Sequence, residues 1–401
     1  MRILWVAMAS LSLLAGSGCS RDARVGLDNV ASAQDVFAGK RVGIITNHTA
    51  YDSRGRFIVD VFRQMDSVEV TALFGPEHGF AGTAEAGEKV GDSQGSYGIP
   101  IYSLYGKTRK PTPEMLTDVD VLVFDLQDIG SRYYTFTYTM AYAMEAAAEQ
   151  GKVFVVLDRP NPINAVDVEG NVLDPEFASF VGLYPIATRH GMTIGELAKM
   201  FNGQGWLKGQ AKAQLVVVPM TGYKRAYWYD ETGLAFINPS PNMRSVEAAA
   251  VYPGMCLFEG TNVSEGRGTE EPFLVFGAPW IEAAKLTAAL NGLALPGMEF
   301  EPKDFTPTAS KHEGHKCFGC RIVITDRDTL EPFAAGVAMV ATINRMYPED
   351  FEWRTAHFDR LCGTDAIRKT IEAGGSWKDL KEGWGQEIKA FREIRQTYLL
   401  Y

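Results

Sequence analysis

The chain reads as an α/β protein: a Rossmann-like, mostly parallel sheet domain followed by a smaller α/β auxiliary domain. Three observations predict it. Five near-continuous Val/Ile/Leu runs recur along the first 245 residues, stretches of helical composition separate them, and polar residues gather where the runs end. Runs apolar on both faces suit parallel strands covered by helices, and strand alternating with helix builds a doubly wound sheet.

Residues 1–19 come first, with Arg2, an apolar stretch from Ile3 to Ala15, then Gly16, Ser17, Gly18 and Cys19. This is a secretory signal and not a fold element. A Cys behind small residues marks a bacterial lipoprotein site, with Cys19 the acylated first residue of a mature periplasmic or membrane-anchored protein. Gly16 stands where such signals usually carry Leu, so ordinary cleavage to a free secreted protein is the alternative. No later segment reaches the eighteen or so apolar residues of a membrane span, which leaves a lipid on Cys19 as the expected membrane contact.

The strand signals are RVGIITN at 41–47, VEVTALF at 68–74, VDVLVFDLQD at 119–128, KVFVVLD at 152–158 and QLVVVPM at 214–220. Between the third and fourth, Tyr134 to Gln150 has helical composition and ends on Gly151. Thr193 to Asn202 is a second helix, with Thr193 and Glu196 spaced as a capping box. Because 401 residues exceed one ordinary core, the Rossmann-like domain is placed at 27–245 and the auxiliary domain at 246–401, where Ile281–Asn291 reads as helix and Arg321–Thr325 as strand. PSPNM at 239–243 and YPG at 252–254 mark the passage between them.

Composition excludes several functions. A net charge of −10 with no basic stripe argues against nucleic acid. Thr46, Asn47 and His48 follow the first strand in place of GxGxxG, and there is no P-loop, so no cofactor is expected. The segment HEGHKCFGC offers His312, His315, Cys317 and Cys320 as a zinc set, but Cys320 leads directly into a strand, and no metal is expected there.

Carboxylates at the carboxyl ends of neighbouring parallel strands converge on one crevice. Strand two ends in FGPEHG, whose glycines and proline put Glu77 and His78 where strand becomes loop, a natural proton-transfer site. Strand three ends in Asp125, Gln127 and Asp128, then Arg132, Tyr133 and Tyr134. Strand four ends in Asp158 and Arg159, with Glu169 beyond two prolines. Asp158 with Arg159, and Asp128 with Arg132, read first as structural ion pairs. Glu77 and Glu169, on Gly-flanked loops with no evident cap to make, are the leading acid pair. Arg189 and His190 precede the second helix, where an anionic substituent would be welcome. Asn242 and the polar loop carrying Glu259, Glu265 and Arg267 complete the candidate binding residues.

The strings FGPEHG, GEKVGD, PIYSLYG, DVLVFDLQDIGSRYYTFTYTM, VLDRPNPINAVDVEG, SFVGLYPIATRHGMTIGELAKMFN, PSPNM, YPGMCLFEGTNVSEGRGTEEPF and GAPW, in this order, resemble the NamZ family of exo-β-N-acetylmuramidases. The resemblance runs from about residue 40 to the C-terminus. It implies an exo-acting glycoside hydrolase that removes N-acetylmuramic acid from the non-reducing ends of peptidoglycan fragments, with its cleft between a Rossmann-like and an auxiliary domain. It places the family's favoured catalytic acid on Glu77 and a second family glutamate on Glu169. Glycoside hydrolysis commonly uses two carboxyl groups, so Glu77 is expected as general acid oriented by His78, with Glu169 or Asp125 as its partner. The lactyl carboxylate of muramic acid calls for a cation, for which Arg132, Arg159, Arg189 and Arg267 are available, and Tyr133, Tyr134 and Trp280 offer sugar-stacking faces. The rival readings are a non-catalytic periplasmic glycan-binding lipoprotein and a metal-dependent amidase or deacetylase using residues 312–320.

Overall fold

Nine strands build the first part of the computed structural model, which describes residues 23–94 and 97–401; the leader at 1–19 and Cys19 lie outside the described residues. They are β1 (Arg41–Thr46), β2 (Glu69–Gly75), β3 (Ser93–Gln94), β4 (Pro100–Ser103), β5 (Val121–Asp125), β6 (Val153–Leu157), β7 (Glu169–Val172), β8 (Ala187–Arg189) and β9 (Gln214–Val218). One sheet has the order β3-β4-β2-β1-β5-β6-β9, parallel throughout except for β3. Counting only the parallel strands in chain order, that is 3-2-1-4-5-6, the Rossmann order.

Alternation along the strands loads both faces. Leu122 and Phe124 join Phe136, Met140 and Met144 of the helix Phe136–Glu149 in one core. Val121 and Val123 turn to the other side, against Ile58, Val59 and Phe62 of the helix Ile58–Arg63. The helix Ile194–Gly203 starts as its sequence indicates: Thr193 Oγ1 accepts from the Glu196 N–H at 3.3 Å, and Glu196 Oε2 accepts from the Thr193 N–H at 3.0 Å.

The C-terminal part carries β10 (Val275–Ala278), β11 (Met298–Phe305) and β12 (Cys317–Ile324), an antiparallel sheet ordered β10-β12-β11. Its helix Pro332–Met346 crosses the helix Val246–Met255 where Gly254 and Gly336 meet. A Cβ on Gly336 would lie 2.4 Å from the Gly254 Cα, so the crossing requires glycine. The residues offered as a zinc set face different partners: His312 Nε2 the Asn262 carbonyl at 2.7 Å, His315 Nδ1 the Glu313 carbonyl at 2.9 Å, and Cys320 Sγ the Thr287 hydroxyl at 3.2 Å. Among the described residues no group of three or more His, Cys, Asp or Glu could hold a metal ion.

Arg132 ties the two parts together. Its guanidinium is fully buried with no carboxylate partner among the described residues and instead donates to four carbonyls, those of Asn171 (2.8 Å), Ile186 (2.9 Å), Leu361 (3.2 Å) and Cys362 (2.7 Å). The first two belong to the β7/β8 ribbon region and the last two end the helix Thr355–Cys362. The expected Asp128–Arg132 pair does not form, because the cation is spent on main chain from distant segments. Arg132→Met should lower the unfolding free energy by about 3 kcal/mol or more, the cost of leaving several buried carbonyls unsatisfied; urea titration of the two proteins measures it.

Candidate active site

A cavity of about 550 Å³ opens between the two parts of the chain. From the first come Glu77 and His78 after β2, Tyr105 after β4, Tyr133 to Thr135 after β5, Phe180, and Ser240 and Met243 of the PSPNM loop; from the second come Tyr252, Glu259, Arg267, Phe273, His357 and Arg360.

The turn after β2 is sharp because three things break the strand. Gly79 donates to the Pro76 carbonyl at 2.9 Å, and His78 and Gly79 both take positive φ, +69° and +75°. A non-glycine residue in that region is uncommon and clusters at functional sites. The turn drives Glu77 into the cavity, where its Oε1 accepts from the Gly87 N–H at 2.9 Å and its Oε2 from the Thr135 hydroxyl at 2.6 Å. Burial and the neighbouring Glu77 carboxylate push the Tyr105 phenol up to about 12, so it stays protonated. His78 Nδ1 lies 2.7 Å from the Ala84 carbonyl. A carbonyl only accepts, so Nδ1 carries the proton and Nε2 keeps a lone pair. Burial lowers the His78 pKa, which keeps the ring neutral.

Across the cavity Arg267 is held between two carboxylates, Glu259 at 2.7 Å and Glu265 at 3.0 Å, and lies over the Phe273 ring. Lys311 closes on Glu265 at 2.7 Å. Burial works against the Glu259 charge, but Arg267 and His357 outweigh it and hold the carboxyl at about 2. Asn242 donates to Glu85 at 3.1 Å, fastening its loop beside the same wall.

Of the residues singled out from sequence, the fold therefore gathers Glu77, His78, Tyr133, Tyr134, Glu259 and Arg267 on one cavity, with Asn242 and Glu265 lining the adjoining hollow. It takes the others elsewhere. Asp125 is fully buried and paired through both oxygens with Arg159, which also reaches the Tyr51 carbonyl at 3.1 Å; the pair fills the crevice between the ends of β1 and β5. Arg159 thus pairs with Asp125 and not with its neighbour. Asp158 caps the helix Ile194–Gly203, accepting from the Gly195 N–H at 2.7 Å, the Thr193 hydroxyl at 2.8 Å and the Tyr401 hydroxyl at 2.7 Å. The anion welcome at that helix start is the protein's own.

Gln127 donates to the Asp128 and Pro160 carbonyls at 2.7 and 2.8 Å. Asp128 accepts from the Gly130 N–H at 2.8 Å and lies 3.5 Å from the buried His190. Arg189 pairs with Asp167 at 3.1 Å under Trp228. Trp280 packs on Tyr347, and Tyr133 donates its hydroxyl to the Pro253 carbonyl at 2.9 Å. Glu169 does have a cap to make: its Oε1 accepts from the Ala334 N–H at 2.8 Å, in the first turn of a helix 165 residues further on. Sequence could not show that partner. Tyr105, Thr135, Phe180, Arg109 and Arg360, all on the cavity wall, are not singled out by sequence, because none has a charged or polar neighbour pattern that marks its side chain, even where, as for Tyr105, Thr135 and Phe180, the surrounding string carries the family resemblance.

Two family models cover the chain: the N-terminal domain of the exo-β-N-acetylmuramidase NamZ at residues 42–247 and its C-terminal domain at 250–401. The chain is 50% identical over 365 residues to the peptidoglycan β-N-acetylmuramidase NamZ of Bacillus subtilis (strain 168), spanning 90% of this chain and 87% of that one. Two crystal structures of DUF1343 family proteins from Bacteroides fragilis NCTC 9343 match the fold. One superposes with a TM-score of 0.87 at 38% identity, covering 94% of this chain and 99% of that one; the other has a TM-score of 0.76 at 31% identity, covering 95% and 99%.

Burial pushes Glu169 up to about 7, while the Ala334 N–H and Arg189 favour its charge. An elevated carboxyl also suits a catalytic acid, yet this one does not line the cavity. Because the folded form binds the proton more tightly than the unfolded chain, its contribution to stability is full below about pH 4.5 and is lost as pH rises through about 7. Glu169→Gln keeps an oxygen for the Ala334 N–H and removes that loss. Its urea midpoint should therefore fall less than the wild type's between pH 5 and pH 8; parallel profiles would contradict a buried, elevated Glu169.

Proposed function

The chain belongs to the NamZ family of exo-β-N-acetylmuramidases, and from that premise we propose that it hydrolyses terminal N-acetylmuramic acid from the non-reducing ends of peptidoglycan fragments, with Glu77 as the proton donor. The observation that carries the assignment is the turn after β2 that sets Glu77 into the interlobe cavity, where Gly87, Thr135 and Tyr105 hold its carboxyl in place. The Thr135 hydroxyl can turn its proton toward Oε2 or away from it, so the contact survives in both protonation states of Glu77.

Glu259 is the second carboxylate of this reading. Held ionised by Arg267, it cannot give a proton, but it presents fixed negative charge to the oxocarbenium-like transition state. Two carboxyl groups in different environments then divide the work, as they do in other glycosidases. The neutral His78, with Nε2 free of its Ala84 contact, supplies an acceptor beside Glu77 for a sugar hydroxyl or the attacking water.

The lactyl carboxylate needs a cation that is not already spent. Arg132, Arg159 and Arg189 donate to buried partners, and Arg267 sits between two carboxylates. Arg360, exposed on the cavity rim, has no ion-pair partner among the described residues and takes that role. The stacked surface for the sugar comes from Tyr105 and Phe180, 5.9 Å apart. An exported protein fits a wall substrate, and a lipid on Cys19 would keep it at the membrane.

Glu77→Gln should lower kcat on a chromogenic β-muramide by about 100- to 10,000-fold, the range of a lost general acid, with an unchanged unfolding transition; undiminished release of N-acetylmuramic acid would sink the assignment. For the anchor, full-length protein is expected in the membrane fraction of producing cells and its Cys19→Ser variant in the soluble fraction. Equal partition of the two would exclude lipidation at Cys19.

A further inference from the structure

A second hollow of about 750 Å³ lies beside the catalytic cavity, and Arg109 lines both. Its walls carry Lys107, Arg109, Lys110 and Lys208 with aromatic side chains of Tyr142, Tyr184 and Trp206. Lys110 is offset by Glu145 at 3.3 Å and Glu149 at 2.7 Å. Lys107, Arg109 and Lys208 are exposed and have no ion-pair partner among the described residues. Glu145 lines the hollow too and accepts from the Lys208 N–H at 2.9 Å, so four cations face one lining carboxylate, a local reversal of sign in a chain of net charge −10.

The two hollows share an aromatic floor. Arg109 lies 4.1 Å over the Phe180 ring and 5.4 Å from the Tyr105 centroid. Phe180 stacks on Tyr142 at 5.9 Å with planes 12° apart, and Tyr184 meets Trp206 at 5.6 Å. Tyr105 is the residue that touches Glu77. The floor therefore leads from the proton donor into the cationic hollow, and its chemistry matches a ligand with apolar sugar faces and spaced carboxylates.

Resting on the muramidase reading, we infer that this hollow binds the glycan on the leaving-group side, where Lys107, Arg109 and Lys208 read the lactyl carboxylate of the next muramic acid along the strand. The enzyme would then favour oligomers over single muramides, and that preference would depend on the carboxylate. Arg109, placed on both walls, orients the strand between the two hollows.

Steady-state kinetics with a chromogenic monomeric β-muramide and with a tetrasaccharide of alternating N-acetylmuramic acid and N-acetylglucosamine, N-acetylmuramic acid at its non-reducing end, test this. The charge-reversed variant Lys107→Glu/Lys208→Glu should keep kcat/KM on the monomer within about twofold, and raise KM for the tetrasaccharide about tenfold with little change in kcat. Methyl esterification of the lactyl carboxyls should abolish the difference between variant and wild type on the tetrasaccharide. Equal changes on monomer and tetrasaccharide, or an esterified substrate that still discriminates, would overturn the inference while leaving the muramidase reading intact. No turnover of either substrate by the wild type would remove both.

Discussion

The interaction on which the rest depends is the grip of Arg132 on four carbonyls from two distant parts of the chain. Its own neighbours in sequence, Tyr133 to Thr135, form one wall of the cavity, and the carbonyls it holds at Leu361 and Cys362 directly follow Arg360 on the other. A buried guanidinium without a carboxylate is costly unless its donors find acceptors, and both terminal nitrogens of Arg132 do, each reaching two carbonyls. The cavity between the two parts is thereby fixed in width by main-chain contacts, and not by the side chains that do chemistry within it. Within the second part, the glycine crossing at Gly254 and Gly336 brings two helices into close contact.

Charge is distributed with the same economy. Acidic groups at the strand ends are used to stop up the sheet: Asp125 with Arg159 at its switch point, Asp158 at a helix start, Glu169 at another. With the usual ligand crevice of a Rossmann sheet occupied by the Asp125–Arg159 pair, the open space lies to the side, at the ends of β2 and β4 and against the loop carrying Glu259 and Arg267 and the helix Thr355–Cys362. There Glu77 sits among neutral donors while Glu259 faces a cation, so two like side chains stand in different electrostatic surroundings.

How much of this could be read from the residues follows from physical distinctions. The five central strands were legible because burial on both faces writes continuous Val/Ile/Leu runs, and the helix beginning at Ile194 because its capping box is local. The strands β3, β4, β7 and β8 were not: each is four residues or fewer, and β7 and β8 bury Asn171 and Arg189, so no apolar alternation marks them. Glu77 and His78 were legible because glycine and proline break the strand around them. Glu169 and Asp125 lie away from the Glu77 cavity because each has a partner visible only in three dimensions, a helix start 165 residues away and the arginine just beyond β6. The same blindness hid the place of Arg360 and Phe180 on the cavity wall.

The central claim is that the cavity between the two parts is where the glycosidic bond is broken beside Glu77. A crystal structure of the Glu77→Gln variant with an intact disaccharide, N-acetylmuramic acid β-linked to N-acetylglucosamine, tests it most directly. The account predicts the glycosidic oxygen within about 3 Å of the residue 77 side chain, the reach of a proton donor, with the lactyl carboxylate toward Arg360. A disaccharide bound instead against Asp125 and Arg159, or against Glu169, would contradict it.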